Sequence, residues 1–147
     1  MKISVLTATY NRGKYLEKLY QSLLENSKYG VNIEWLIMDD GSTDETQNII
    51  KKFSKDLIEI KNYKQENAGK MVAINELMKN ATGDLIVDCD SDDYFTNDAF
   101  KIILQRYEEN KEKKGIYGFC FLHSTIQRKK FRKKICKKTF NTICDAF

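Results

Sequence analysis

Residues 84–95 read DLIVDCDSDDYF, an apolar run that ends abruptly in a cluster of carboxylates. Burial stops where such a strand ends, so Asp90, Asp92 and Asp93 are expected at its carboxyl end, on a rim. Three acids this close in sequence repel one another unless something positive sits among them. A hard divalent cation, Mg²⁺ or Mn²⁺, suits oxygen ligands and commonly holds substrate phosphates as well. Metal plus diphosphate is the first reading of this stretch.

Outward from it, strands and helices alternate. Lys2–Thr7 is a β-branched run followed by the polar turn Ala8–Gly13. Tyr15, Leu16, Leu19, Tyr20, Leu23 and Leu24 recur at helical spacing, predicting a helix over about 14–27. Ile33–Met38 is apolar at nearly every position, as in a strand buried on both faces. Ser42 and Glu45 have capping-box spacing, predicting a second helix that buries Ile49, Ile50 and Phe53. Leu57–Tyr63 reads as a less apolar strand nearer an edge. Glu66–Lys70 is a turn into a helix with Met71, Ile74, Leu77 and Met78 inward, which Gly83 terminates before the strand Leu85–Cys89. A helix over about 97–109 would bury Phe100, Ile103, Leu104 and Tyr107, and Ile116–Leu122 is a final strand. The alternation implies an α/β fold with a mostly parallel sheet flanked by helices. Such folds bind ligands outside the carboxyl ends of the strands, near a switch in strand order. Three polar clusters fall at strand ends, Thr7–Arg12, Asp39–Asp44 and Asp90–Asp93, and that coincidence argues for one shared site.

Composition narrows the class. With 147 residues, 41% of them hydrophobic and 31% charged, the chain suits one soluble domain with a real core. No apolar run approaches the length of a membrane span, and Asn11, Arg12 and Lys14 interrupt any signal-peptide core. A cytoplasmic location is expected, with peripheral contact at the inner membrane face as an option. The four cysteines Cys89, Cys120, Cys136 and Cys144 form no C-x-x-C pair, and His123 is the one histidine, so neither a zinc site nor a disulfide framework is indicated. Cys89 and Cys120 read as small core residues. The net charge of +4 is unevenly spread: residues 124–147 hold eight of the 25 Lys and Arg and, in Asp145, one of the 21 acids. The body is mildly acidic and the tail strongly basic.

Each cluster has a plainer explanation beside the functional one. Asp39 or Asp40 could accept a hydrogen bond from a base, or D-D-G-S could simply cap the next helix. Asp88, Asp90 and Asp92 open like an EF-hand loop, but Asp93 and Ala99 stand where that loop needs Gly and Glu. Helix capping around Thr96 accounts for one acid, not three. Gly69 and Lys70 precede a helix whose amides could approach an anion. Neither a Walker loop nor a G-x-G-x-x-G occurs, and a single histidine leaves no credible hydrolytic triad.

Taken together, ISVLTATYNR at 3–12, IMDDGSTD at 37–44, ENAGK at 66–70 with AIN at 73–75, and GDLIVDCDSDD at 83–93 resemble the family 2 glycosyltransferases. The resemblance covers roughly the first 110 residues in uninterrupted order. It implies the GT-A fold, a Rossmann-like fold of enzymes that use nucleotide-diphosphate sugars, over residues 1–123, followed by a basic tail over 124–147. It implies that Thr7, Ala8, Thr9, Tyr10 and Asn11 line the nucleotide pocket and that Asp40, beside Asp39, contacts the base. Gly69 and Lys70 would approach the sugar nucleotide. The D-x-D motif falls on Asp90 and Asp92, so that Asp90 lies near the ribose, Ser91 joins the nucleotide-sugar-binding residues, and Asp92 binds Mg²⁺ or Mn²⁺, with Asp90 and Asp93 close by. The implied chemistry is attack of an acceptor hydroxyl on the anomeric carbon with inversion, the metal offsetting charge on the departing nucleoside diphosphate.

The chain departs from the family in one respect. The general base comes from an acceptor-binding half, yet after Leu122 Asp145 is the one acid available. This predicts a donor-binding half that is truncated or completed by something else, its apolar surface covered by a second copy or a partner. The expected partners are a nucleotide-sugar donor and a glycan or lipid-linked acceptor. A non-catalytic nucleotide-sugar-binding module is the alternative. A nucleotidyltransferase would want a basic, glycine-rich loop after the first strand, which Ala8–Asn11 does not supply. The tail, with eight basic residues over 128–138, is a solvated arm or a contact to anionic lipid, worth on the order of 1 kcal/mol per charge near the surface. Nucleic acid is not expected.

Overall fold

The computed structural model describes residues 1–54, 56–115 and 118. The expected strand at 116–122, Cys120, Cys136, Cys144, His123, the boundary at 123 and the basic tail lie outside the described residues. The chain forms two compact units, Met1–Ile103 and Leu104–Phe147.

In the first unit the strands are β1 (Lys2–Thr9), β2 (Asn32–Asp39), β3 (Glu59–Lys64) and β4 (Leu85–Asp88). The helices are α1 (Gly13–Ser27), α2 (Thr46–Ile50), α3 (Lys70–Asn80) and the start of α4 (Ala99–Glu108). The four strands make one sheet in the order β3-β2-β1-β4, with all three pairings parallel. β1 and β2 are central and almost wholly buried, which is why β2 reads as apolar at nearly every position. β3 is an edge strand, as its weaker apolar pattern suggested.

Alternation along the strands divides the core in two. Leu6, Leu36 and Met38 face α3, where Ala73, Ile74 and Leu77 complete the layer. On the opposite face Trp35 stacks with Tyr20 of α1 and with Phe53, at centroid distances of 6.3 and 5.6 Å. The Trp35 indole N–H donates to Thr7 Oγ1 at 3.0 Å, so the ring is buried without an orphan donor. Asn26, also fully buried, donates to the Thr96 carbonyl and accepts from the Phe100 N–H, tying the start of α4 to α1.

Three local expectations are corrected. Met71 and Met78 are exposed; at about 100° per residue both lie on the flank of a buried stripe set by Ala73 and Leu77, where the small Ala73 lets α3 approach the sheet. Helix α2 begins at Thr46 and no capping box forms, because the Ser42 hydroxyl accepts the Asn11 N–H and the Asp44 carboxylate accepts that of Thr46. It buries Ile50, with Phe53 just beyond it, and leaves Ile49 half-buried. In α4 Phe100 and Ile103 are buried, whereas Leu104 and Tyr107 are half-buried.

The amino end of the sheet holds a buried ion cluster. Glu34 is fully buried; Ser4 Oγ and the Thr82 N–H each donate to Oε1 at 2.5 Å. The ammonium groups of Lys2 and Lys61 each lie 2.9 Å from Oε2. Gly83 is required beside it, since a Cβ there would sit 2.6 Å from the Ser4 backbone nitrogen. Burial alone would raise the Glu34 carboxyl, but the donors from Ser4, Thr82, Lys2 and Lys61 outweigh it and hold the group far below the usual carboxylate range. A carboxyl depressed in the folded state stabilises above its unfolded value, and that contribution fades as the pH falls below it. Glu34→Gln is therefore expected to lower the unfolding free energy at pH 7 by about 3 kcal/mol in urea titrations, with the deficit shrinking as the pH approaches 3. An equal deficit at both pH values would contradict this account.

Candidate functional site

Strand order reverses at β1: β2 and β3 extend to one side, while β4 joins the other. Thr9 pairs with Asp39, and Leu6 with Asp88, so the three strands end close together and release their polar segments on one rim. The switch point therefore lies between Thr9–Arg12 and Asp88–Asp93, as alternating strands and helices led one to expect.

The β1 and β2 segments are clasped together. Asn11 adopts the left-handed backbone region, at φ 52°, which asparagine tolerates better than most residues. From there its N–H donates to Ser42 Oγ at 2.9 Å and its Oδ1 accepts the Thr43 N–H at 2.8 Å. Asp39 is fully buried; its carboxylate accepts the Ser42 N–H at 2.8 Å and the Gln47 side-chain amide at 2.5 Å. Gly41, at φ +85°, lets the turn pass within 3.0 Å of the Asn67 nitrogen, measured from where a Cβ would stand.

Asp40 reaches the next segment. Its Oδ1 accepts from the Gln65 amide at 2.7 Å and the Ala68 N–H at 2.9 Å, and its Oδ2 accepts the Gly69 N–H at 2.9 Å. Burial raises this carboxyl, and the Ala68, Gln65 and Gly69 donors more than compensate, leaving it below the ordinary value. The carboxylate thus fastens the turn that starts α3. Thr7 is a core residue bonded to Trp35, Ala8 packs against the α3 layer, and Tyr10 is exposed. Thr9 is buried, and its Oγ1 has no hydrogen-bond partner among the described residues.

The carboxylates at the end of β4 and beyond it are half-exposed, and Asp88, Asp90 and Asp92 each meet a cation of the chain itself. Lys70, the first residue of α3, pairs with Asp90 and lies 3.4 Å from Asp88 Oδ2. The Arg12 guanidinium, from the N-cap of α1, is 2.5 Å from Asp92 Oδ2. Ser91 is buried, and the Asp93 N–H donates to the Asp90 carbonyl at 3.0 Å, closing a turn. Burial tends to lower the Lys70 ammonium, but Asp90 and Asp88 raise it further, so it remains charged at neutral pH. Among the described residues no three His, Cys, Asp or Glu side chains converge as a ready metal centre. The repulsion argument from sequence is answered here by Lys70 and Arg12. Cys89 is buried beside these acids and its thiol is pushed up to about 12, first by burial and then by Asp93, Asp88 and Asp90; it is no nucleophile.

The structure thus brings Asn11 to the Asp39–Asp44 turn, Asp40 to Gly69, and Lys70 to Asp90. Sequence reasoning gave no ligand role to Asp88, Arg12, Gln47 or Gln65, and Asp88 entered it through the rejected EF-hand pattern alone. Arg12 stood inside a quoted motif, but only tertiary structure shows that it spans the switch point. A cavity of about 500 Å³ lies between α1 and residues 94–97, lined by Lys18, Gln21, Glu25 and Tyr94 among others.

Comparison with known proteins follows the same site. The family described as Glycosyl transferase family 2 matches residues 4–143. An uncharacterized glycosyltransferase, MG060 of Mycoplasma genitalium, is 32% identical over 145 residues, covering 92% of this chain and 48% of that protein. The solved structure of Staphylococcus aureus TarS 1-349 in complex with UDP-GlcNAc superposes with a TM-score of 0.68 at 28% identity, covering 87% of this chain and 39% of that one. The mannosyltransferase PcManGT from Pyrobaculum calidifontis, solved with GDP-Man and Mn²⁺, shares the fold at a TM-score of 0.63 and 22% identity, covering 71% of this chain and 32% of its own. The chain spans less than half the length of the relatives it matches.

The Asp40 fastening can be tested directly. Asp40→Asn keeps the volume but removes one acceptor, which is expected to cost about 1–3 kcal/mol and to raise amide exchange at Ala68 and Gly69. Unchanged protection at those two amides would contradict the assignment.

Proposed function

The chain belongs to glycosyl transferase family 2 and has the parallel α/β sheet of GT-A glycosyltransferases, and from that premise we propose that it binds a nucleotide-diphosphate sugar across the β1/β4 switch point. The observation that carries this reading is the rim itself. Arg12, Lys70, Asp90 and Asp92 arrive there from three different elements, at the one place where the sheet changes direction. TarS, similar over most of this chain, was solved with UDP-GlcNAc, which supports a nucleotide sugar as the ligand class.

The residues suit a hard divalent ion. Mg²⁺ is typically held by one or two carboxylates together with substrate phosphates and water. The exposed carboxylates of Asp90 and Asp92 would supply that share, with Asp93 adjacent, and no three-ligand protein cage is needed. When bound, Mg²⁺ or Mn²⁺ offsets the negative charge of the departing nucleoside diphosphate. The chain's own groups do the rest. Asp40 and Asp39 hold the turns that shape the base end of the pocket. Thr9 offers a buried hydroxyl without a partner among the described residues. Lys70 and Arg12 bring positive charge to the diphosphate, and Gly69, at φ +92°, lets the backbone approach it.

In this reading the parent reaction transfers the sugar, with inversion, to a hydroxyl of a glycan or lipid-linked acceptor, and the basic tail rests on anionic lipid at the inner membrane face. No described helix is long and apolar enough to cross a membrane. A second reading is a donor-binding module that holds the nucleotide sugar without turning it over, since the described residues carry the rim that would take the donor.

Calorimetry with UDP and Mn²⁺, run beside a UDP-GlcNAc hydrolysis assay, separates these. The expected outcome is metal-dependent UDP binding that weakens at least tenfold, a change of about 1.4 kcal/mol, in Asp92→Ala. Binding without hydrolysis selects the module. Affinity unchanged in Asp92→Ala, or independent of Mn²⁺, would overturn the assignment of Asp92.

A further inference from the structure

The rim carboxylates are engaged before any ligand arrives. Lys70 lies against Asp90 and 3.4 Å from Asp88, and Arg12 lies against Asp92, so the positions where a divalent ion would draw its oxygens are covered by the chain's own cations. Both side chains are roughly half-exposed, and both reach the rim on flexible stems from the ends of ordered elements. Neither pairing is built into the core, unlike the Glu34 cluster at the opposite end of the sheet. Exposed pairs of this kind contribute little to stability, so they can compete with a weakly held ion and still be broken at small cost.

From this we propose that Arg12 and Lys70 are resident counter-cations. They shield Asp88, Asp90 and Asp92 in the free protein and move to the diphosphate when it binds, releasing Asp90 and Asp92 to the metal. Arg12 becomes a diphosphate-binding residue, a role for which its planar guanidinium is well shaped. The inference rests on the donor reading above and adds an order of events to it. A free metal ion must displace a guanidinium and an ammonium, whereas a metal arriving with a diphosphate meets carboxylates whose partners have a better anion to turn to. The site therefore takes up metal together with, or after, the phosphate-bearing ligand, and is guarded against free divalent cations.

The test measures Mn²⁺ alone, by the loss of the free-ion electron paramagnetic resonance signal, and then Mn²⁺ with UDP. Wild type, Arg12→Gln, Lys70→Gln and the charge-keeping Lys70→Arg are compared. In both glutamine variants Mn²⁺ alone is expected to bind several-fold to tenfold more tightly than in wild type, while UDP with Mn²⁺ binds at least several-fold more weakly. Lys70→Arg is expected to keep the wild-type exclusion of free Mn²⁺. Opposite signs for the two ligands are what a purely structural ion pair would not produce. Equal or weaker binding of Mn²⁺ alone in both glutamine variants overturns the proposal. Should no form bind UDP while the glutamine variants still gain Mn²⁺ affinity, the shielding stands and the donor reading fails.

Discussion

Everything at the rim depends on β1 lying between two parallel neighbours that leave it on opposite sides. A parallel strand cannot be joined to the next by a tight turn, so each connection must cross the sheet and return. The crossovers from β1 to β2 and from β3 to β4 place helices on both faces, and all polar turns at the carboxyl ends share one edge. Because Thr9 is level with Asp39 and Leu6 with Asp88, the segments that follow cannot avoid one another. The site is a consequence of register as much as of side-chain chemistry.

Charge is handled differently at the two ends of this sheet. At the amino end Glu34 is fully buried and saturated by a hydroxyl, a backbone N–H and two lysines. Its role is to hold β1, β2, β3 and the turn before β4 together. At the carboxyl end the same kinds of group are half-exposed, with Arg12 paired to Asp92 and Lys70 shared between Asp90 and Asp88. The buried cluster is costly to break and the exposed pairs are not. That contrast is what allows the rim to change partners while the sheet beneath it stays still.

The parallel α/β class, the succession of strands and helices and the location of the polar clusters were readable because burial leaves a periodic record. β1 announced itself as a β-branched run, β2 as a strand apolar at nearly every position, and β3 as a weaker strand nearer an edge. The record fails where side chains compete for the same backbone groups. Ser42 had the spacing of a helix cap, but Asn11, more than thirty residues away in sequence, claims its hydroxyl. Met71 and Met78 look like core residues in a list of apolar positions, yet the small Ala73 decides which face of α3 meets the sheet. At the rim, Asp90, Asp92, Asp93 and Lys70 were singled out from the sequence but the ion pairs were not, since nothing local links Arg12 to Asp92 or Lys70 to Asp88 across eighty and eighteen residues of chain. The metal inferred from repulsion rests instead on the donor chemistry of Asp90 and Asp92 and on the family.

The most direct measurement is a nuclear magnetic resonance titration of the isotope-labelled protein with UDP in the presence of Mg²⁺. The account predicts that the largest amide shifts fall together on Asn11–Arg12, Gly69–Lys70 and Asp90–Asp93, with the Glu34 end of the sheet silent. Shifts centred on the cavity beside Lys18 and Tyr94, or no shifts at saturating nucleotide, would contradict it.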